Sequence, residues 1–175
     1  MFRERSLSTE YIDALDEWTR KKTIYSELET RAKVAATFKS REFMKVWTAE
    51  YERIYLVDSD GSDVPAPAVE ATAETTEFLL YVYASDRDAI DLARSGSAWK
   101  AVLIDAGGAR YDPLEIRELQ DAGPLVTEFY PYVNPSYGKI YLLKFDGEAA
   151  GAAEETKLPV TLVITSVIAR AELVW

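Results

Sequence analysis

Four stretches of the chain hold residue types that can do chemistry. Ser136-Tyr137-Gly138-Lys139 matches S-x-x-K, the arrangement of penicillin-recognising enzymes, in which a serine opens a helix and a lysine one turn on lies beside it. Here Pro135 precedes the serine, Gly138 interrupts the turn, a strand-like run follows, and the partner motifs S-D-N and K-T-G are missing. The stretch reads as a turn. Asp112, Glu115, Glu118 and Asp121 fall three apart, and paired carboxylates flanking a sugar cleft can hydrolyse glycosides. Pro113 and the apolar positions Leu114, Ile116 and Leu119 favour instead a strand whose carboxylates face water. Asp58-Ser-Asp60-Gly61-Ser-Asp63 has carboxylates like a calcium loop, but such a loop needs Gly at its sixth position and Glu at its twelfth. Asp63 and Val69 stand there, so this reads as a solvated acidic loop. The fourth stretch, Phe129-Tyr130-Pro131-Tyr132 with Tyr137, is aromatic, and tyrosine is enriched at recognition surfaces as well as in cores. Tyr130, Tyr132 and Tyr137 are the candidate interaction surface.

The chain has no histidine and no cysteine. That removes most general bases near neutral pH, thiol nucleophiles, disulfides and the soft ligands of zinc. The residue types that remain form no recognisable catalytic constellation. No catalytic, cofactor-binding or metal-ligating residue is assigned, and no cofactor is expected. Asn134-Pro135-Ser136 is not a glycosylation sequon, because proline occupies its middle position.

Charge narrows the partners. The net charge is −10, and it is uneven: residues 1–56 carry 11 basic and 10 acidic side chains, residues 57–175 carry 9 and 20. An acidic body repels phosphate, so no nucleic-acid partner is expected. Arg20, Lys21 and Lys22 read as a solvated helix face. No run reaches the roughly 20 apolar residues of a membrane helix, and the first residues lack the apolar core of a signal peptide. That is compatible with a cytoplasmic protein, or with an exported one whose leader has been removed.

The elements that must position these residues follow from periodicity. At 48% hydrophobic, 175 residues make one ordinary domain. Tyr11, Leu15, Trp18, Tyr25, Leu28, Ala32 and Ala35 recur at helical spacing, and no Gly or Pro occurs before Gly61. The spacing predicts one helix over 9–38, capped by Ser8 or Thr9, and a second over 41–55, capped by Ser40 and carrying Phe43, Trp47, Tyr51 and Tyr55. A helix so long needs a partner surface, either its own sheet or a second chain. Residues 57–76, with Pro65 and Pro67, read as a linker or long loop. Beyond them the period becomes two, predicting strands at 77–84, 98–105, 112–118, 125–132, 138–146, 158–167 and 169–175. A short helix is expected at 86–94, and a hairpin loop at 147–157. Trp99 and Trp175 should face the core. The fold expected is α+β: a helical N-terminal element (1–56) followed by an antiparallel β-sandwich (77–175).

Within that sandwich, Trp99-Lys-Ala-Val-Leu-Ile-Asp105, Phe129-Tyr-Pro-Tyr132, Gly138-Lys-Ile-Tyr-Leu-Leu-Lys-Phe145 and Glu172-Leu-Val-Trp175 resemble a group of uncharacterised bacterial extracytoplasmic lipoproteins. Ala36-Thr-Phe38, Ser40-Arg-Glu-Phe43 and Ala49-Glu-Tyr51 resemble their helical N-terminal part. The resemblance implies export and a lipid-bearing cysteine ahead of the mature domain; it supplies no catalytic residue. The expected function is therefore that of a non-enzymatic extracytoplasmic structural or interaction protein. It would engage a protein partner or itself, and touch a membrane only through that anchor. The alternatives are a small Asp/Glu- or Ser/Lys-dependent hydrolase or carbohydrate-active domain, and a cytoplasmic partner-binding module.

Overall fold

A computed structural model describes residues 7–26, 29–57, 75–85, 90–147, 159–167 and 169–175. The first helix, α1 (Thr9–Trp18), starts as expected: the Ser8 hydroxyl accepts from the Tyr11 N–H, and Tyr11, Leu15 and Trp18 are buried. It ends at Trp18, and this corrects the long helix. Residues assigned to its second half form a hairpin, β1 (Thr19–Ser26) and β2 (Glu29–Phe38). Thr19, Thr23, Ile24, Val34 and Thr37 are β-branched, and Ile24 is buried while Tyr25 next to it is exposed. The alanines of β2, strong helix formers on their own, lie opposite large residues: Ala35 pairs with Tyr81 and Ala36 with Leu80. Tertiary packing overrides intrinsic preference there. The first 56 residues are thus no separate helical element, because β2 hydrogen-bonds directly to β3 (Thr75–Ala84). Of the apolar stripe, Tyr11, Leu15 and Trp18 are buried in the core, whereas Tyr25 is exposed on β1 and Leu28 lies outside the described residues.

The second helix, α2 (Arg41–Tyr55), is capped by Ser40 as expected. The remaining elements are β4 (Lys100–Ile104), β5 (Arg110–Tyr111), β6 (Glu115–Glu118), the single turn α3 (Pro124–Thr127), β7 (Gly138–Asp146), β8 (Thr161–Thr165) and β9 (Arg170–Val174). They build two antiparallel sheets, ordered β1-β2-β3-β7-β6 and β5-β4-β8-β9. Phe38, Phe78, Leu80, Leu143 and Phe145 of the first and Leu103, Leu162, Ile164 and Leu173 of the second belong to one buried core. Trp99 and Trp175 are buried in it, and Trp175 packs on Phe78 with ring centroids 5.1 Å apart.

Other predicted elements change for local reasons. The 112–118 strand divides at Asp112-Pro113, because Arg110–Tyr111 pair with β4 and Glu115–Glu118 with β7; the chain changes sheets there. Proline, with no N–H to give a ladder, suits that crossing. The strand expected at 125–132 is instead α3 followed by turns, started by Gly123 with Pro124 in the first helical turn. Residues 90–94 are not helical: Asp91 Oδ1 accepts from the N–H groups of Ala93 and Arg94 in a local turn. The hairpin loop expected at 147–157 lies, Gly147 apart, outside the described residues; the strands on either side, β7 and β8, belong to different sheets. Residues 58–74, with the acidic loop Asp58–Asp63, and 86–89 lie outside the described residues.

The helices and the 119–133 connection cover part of the first sheet's outer face. Ser8 ties α1 to α2, its N–H donating to Glu50 Oε1 (2.8 Å) and its hydroxyl to Glu50 Oε2 (2.7 Å). Aromatic contacts then join both helices to the connection. Tyr11 donates from its hydroxyl to the Phe129 carbonyl at 2.6 Å, and Trp47 packs on Phe129 at 4.8 Å.

Candidate functional site

Residues opposite one another in an antiparallel pair share a face, so the pairing places the outer-face side chains in rows. Running along the strands they are Thr23, Lys33, Tyr83 and Gly138; then Lys21, Ala35, Tyr81 and Ile140; then Thr19, Thr37, Leu79, Leu142 and Arg117. The last row carries Glu77, Lys144 and Glu115, with Lys39 joined to it by its N–H to the Glu77 carbonyl. The helices and connection cover the last two rows. The first two stay open and form a groove of about 650 Å³ lined by Lys21, Lys22, Lys33, Tyr81, Tyr132 and Tyr137 among others.

Two devices hold this groove in shape. Tyr132 donates to or accepts from Thr37 Oγ1 at 2.6 Å, and Thr37 bonds Thr19 at 2.7 Å, which pins the 129–137 turn to the sheet. Lys21 Nζ stands 5.7 Å from the centre of the Tyr132 ring, a cation–π placement. Burial pushes the Tyr132 phenol above its ordinary pKa, so it stays neutral. The second device is Gly138. A Cβ there would lie 2.6 Å from the Tyr81 ring and from the Val82 carbonyl, so only glycine lets Tyr81 lie across β7. Tyr81 then donates from its hydroxyl to the Asn134 carbonyl at 3.0 Å.

The candidate residues separate. Tyr132 and Tyr137 both line the groove, Tyr137 being 65% exposed, whereas Tyr130 is buried in the core and offers no open surface there. Ser136 sits exposed in a turn, its N–H donating to Asn134 Oδ1, while Lys139 belongs to β7, so no helix brings them together. Among the carboxylates, Asp112 is exposed and Glu115 pairs with Lys144 at 3.6 Å. Glu118 and Asp121 reach the rim of a second, apolar pocket beneath α2. Among the described residues no three His, Cys, Asp or Glu side chains cluster closely enough to hold a metal ion. No helix among them is long and apolar enough to cross a membrane.

Sequence reasoning missed Lys33, Tyr81 and Tyr83, and took Lys21 and Lys22 for a helix face. A signal was present in β2: Ala32, Val34, Ala36 and Phe38 are apolar at every second position, with Lys33, Ala35 and Thr37 between them. Compared with known protein families, curated proteins and solved structures, the chain matches none.

Proposed function

We propose that this is a non-enzymatic interaction protein that takes an acidic protein segment in the lysine–tyrosine groove. Its place would be extracytoplasmic, held at a membrane surface by a lipid anchor ahead of the domain. One observation carries the reading. Lys21 and Lys33 stand on a single groove with four tyrosines, Lys22 borders it on the edge strand, and no carboxylate is among its described lining residues, in a chain whose net charge is −10. Such a concentration of one sign reverses the local field and steers an oppositely charged partner. Lysines on the edge strand β1 also guard against strand addition. That explains Lys21 and Lys22 but not Lys33, which lies on an inner strand, nor the tyrosines. The extracytoplasmic part of the proposal rests on the sequence resemblance alone.

The test is fluorescence anisotropy with a labelled oligoglutamate peptide at low salt. The wild type should bind, with affinity falling as salt rises, and Lys21→Glu/Lys33→Glu should weaken binding at least about tenfold. No binding at low salt, or equal binding by the double variant, overturns the groove. Fractionation of cells expressing the natural gene tests location, and recovery in the cytosol overturns it.

A further inference from the structure

The covered end of the same sheet face encloses a pocket of about 430 Å³ beneath α2, within the roughly 300–1,000 Å³ range of small-molecule sites. Its walls are Met44 and Trp47 of α2, Leu79 and Leu142 of the sheet, and Leu125 and Val126 of α3. Two wall side chains have polar groups left over. The Trp47 indole N–H is buried with no hydrogen-bond partner. Tyr130, 5% exposed, lines the pocket, and its hydroxyl makes no hydrogen bond with the described residues. Burial pushes the Tyr130 phenol well above its ordinary pKa, aided by Tyr132 and Glu77 nearby, so this hydroxyl is a neutral donor. Native proteins rarely leave a fully buried donor such as the Trp47 N–H unmatched, because it forfeits the hydrogen bonds water would have made; the Tyr130 hydroxyl is not fully enclosed and stays open to a ligand in the pocket. The charged lining residues balance, Lys39 and Arg117 against Glu118 and Asp121, so the pocket offers no net attraction to an ion.

We propose that this pocket binds a neutral, largely apolar small molecule with one hydrogen-bond acceptor, an ester or ketone on an aliphatic chain, the acceptor meeting the Tyr130 hydroxyl. The site is separate from the groove and does not depend on its function. Methyl decanoate is the probe, displacing Nile Red from the full chain, with decanoate as the charged comparison. The ester should displace the dye and decanoate should do so at least about tenfold less well. Tyr130→Phe, which keeps the ring, should weaken ester binding about tenfold, the worth of one hydrogen bond. Val126→Trp, which fills the pocket, should abolish it. Lys21→Glu/Lys33→Glu should bind the ester as the wild type does. Failure of the ester to displace the dye overturns the site, and so does undiminished binding by Tyr130→Phe. Equal binding of decanoate overturns its preference for a neutral ligand. If Val126→Trp does not fold, Tyr130→Phe decides alone.

Discussion

Lys33 and Lys39 rise from the same face of the same chain segment, and the fold treats them oppositely. Lys33 is exposed at the open end of the sheet, among tyrosines and two other lysines. Lys39 is 7% exposed and donates to Glu77 Oε2 at 3.2 Å, while Lys144 approaches the other oxygen of Glu77 at 3.6 Å. What differs is the cover. Over Lys39 lie α2 and the 119–133 connection; over Lys33 lies solvent. A buried charge must be paired and an exposed one need not be. The covered end therefore becomes balanced in charge and apolar, and the open end keeps an unbalanced positive surface. One sheet face thus carries two recognition chemistries, divided near Thr37 and Tyr132.

The sharpest way to break this contrast is to remove the carboxylate at the covered end. Glu77→Ala takes away the counter-charge between two lysines, one of them buried, and should cost about 3–5 kcal/mol in urea unfolding. Replacing the pair together, Lys39→Met with Glu77→Leu, should recover most of that loss, because the desolvation demand disappears with the charge. A Glu77→Ala loss under about 1 kcal/mol would mean the covered end is wet, and the distinction between the ends would collapse.

A smaller effect tests what holds the cover in place. Burial raises the pKa of Glu50, but hydrogen bonds from Arg53 and from the Ser8 N–H and hydroxyl outweigh it and hold the carboxyl below its ordinary value. The unfolded chain therefore takes up this proton first as the solution is acidified. The stabilisation is fully present above the unfolded carboxyl value of about 4.3, and is lost as pH falls through the lower folded value. Glu50→Gln should cost about 2 kcal/mol at neutral pH and flatten the acid limb of the stability curve. An acid limb unchanged in the variant would show that Glu50 does not clamp α1 to α2.

Much of this architecture was legible because local pattern and tertiary context agree. Ser8 and Ser40 announce both helix starts, and Gly138–Asp146 is an apolar run bounded by turn residues and is a strand over that same range. The misreading at 19–38 came where the two disagree. Its alanines and charged residues favour helix, and only the large residues of β3, some 45 positions further on, explain why small side chains are needed there. The candidate site suffered from the same error. Lys21 and Lys33 are 12 residues apart on a helix but neighbours across a hairpin, so assigning helix dispersed the groove. Tyr132 and Tyr137 were legible as surface candidates from composition. The burial of Tyr130 was not, since it depends on the helical turn at Pro124 and on Phe43, whose ring lies 6.2 Å away.

The smallest expected effect is the most discriminating. Lys33→Ala should change unfolding stability by no more than about 0.5 kcal/mol, the usual range for a surface substitution away from special features. Lys33 is exposed, so its head group is hydrated in the folded and unfolded chain alike, and its loss leaves no buried group unpaired. Truncation to alanine keeps a side chain that β2 already accepts at positions 32, 35 and 36, two of them among its fully or nearly fully buried sites. Removing one like charge from beside Lys21 and Lys22 adds a slight relief of repulsion. Binding should move where stability does not: the variant should lose affinity for an acidic peptide and show a shallower dependence on salt. A stability loss as large as that of Glu77→Ala would mean that Lys33 is held as Lys39 is, and the two ends of the face would then be one environment.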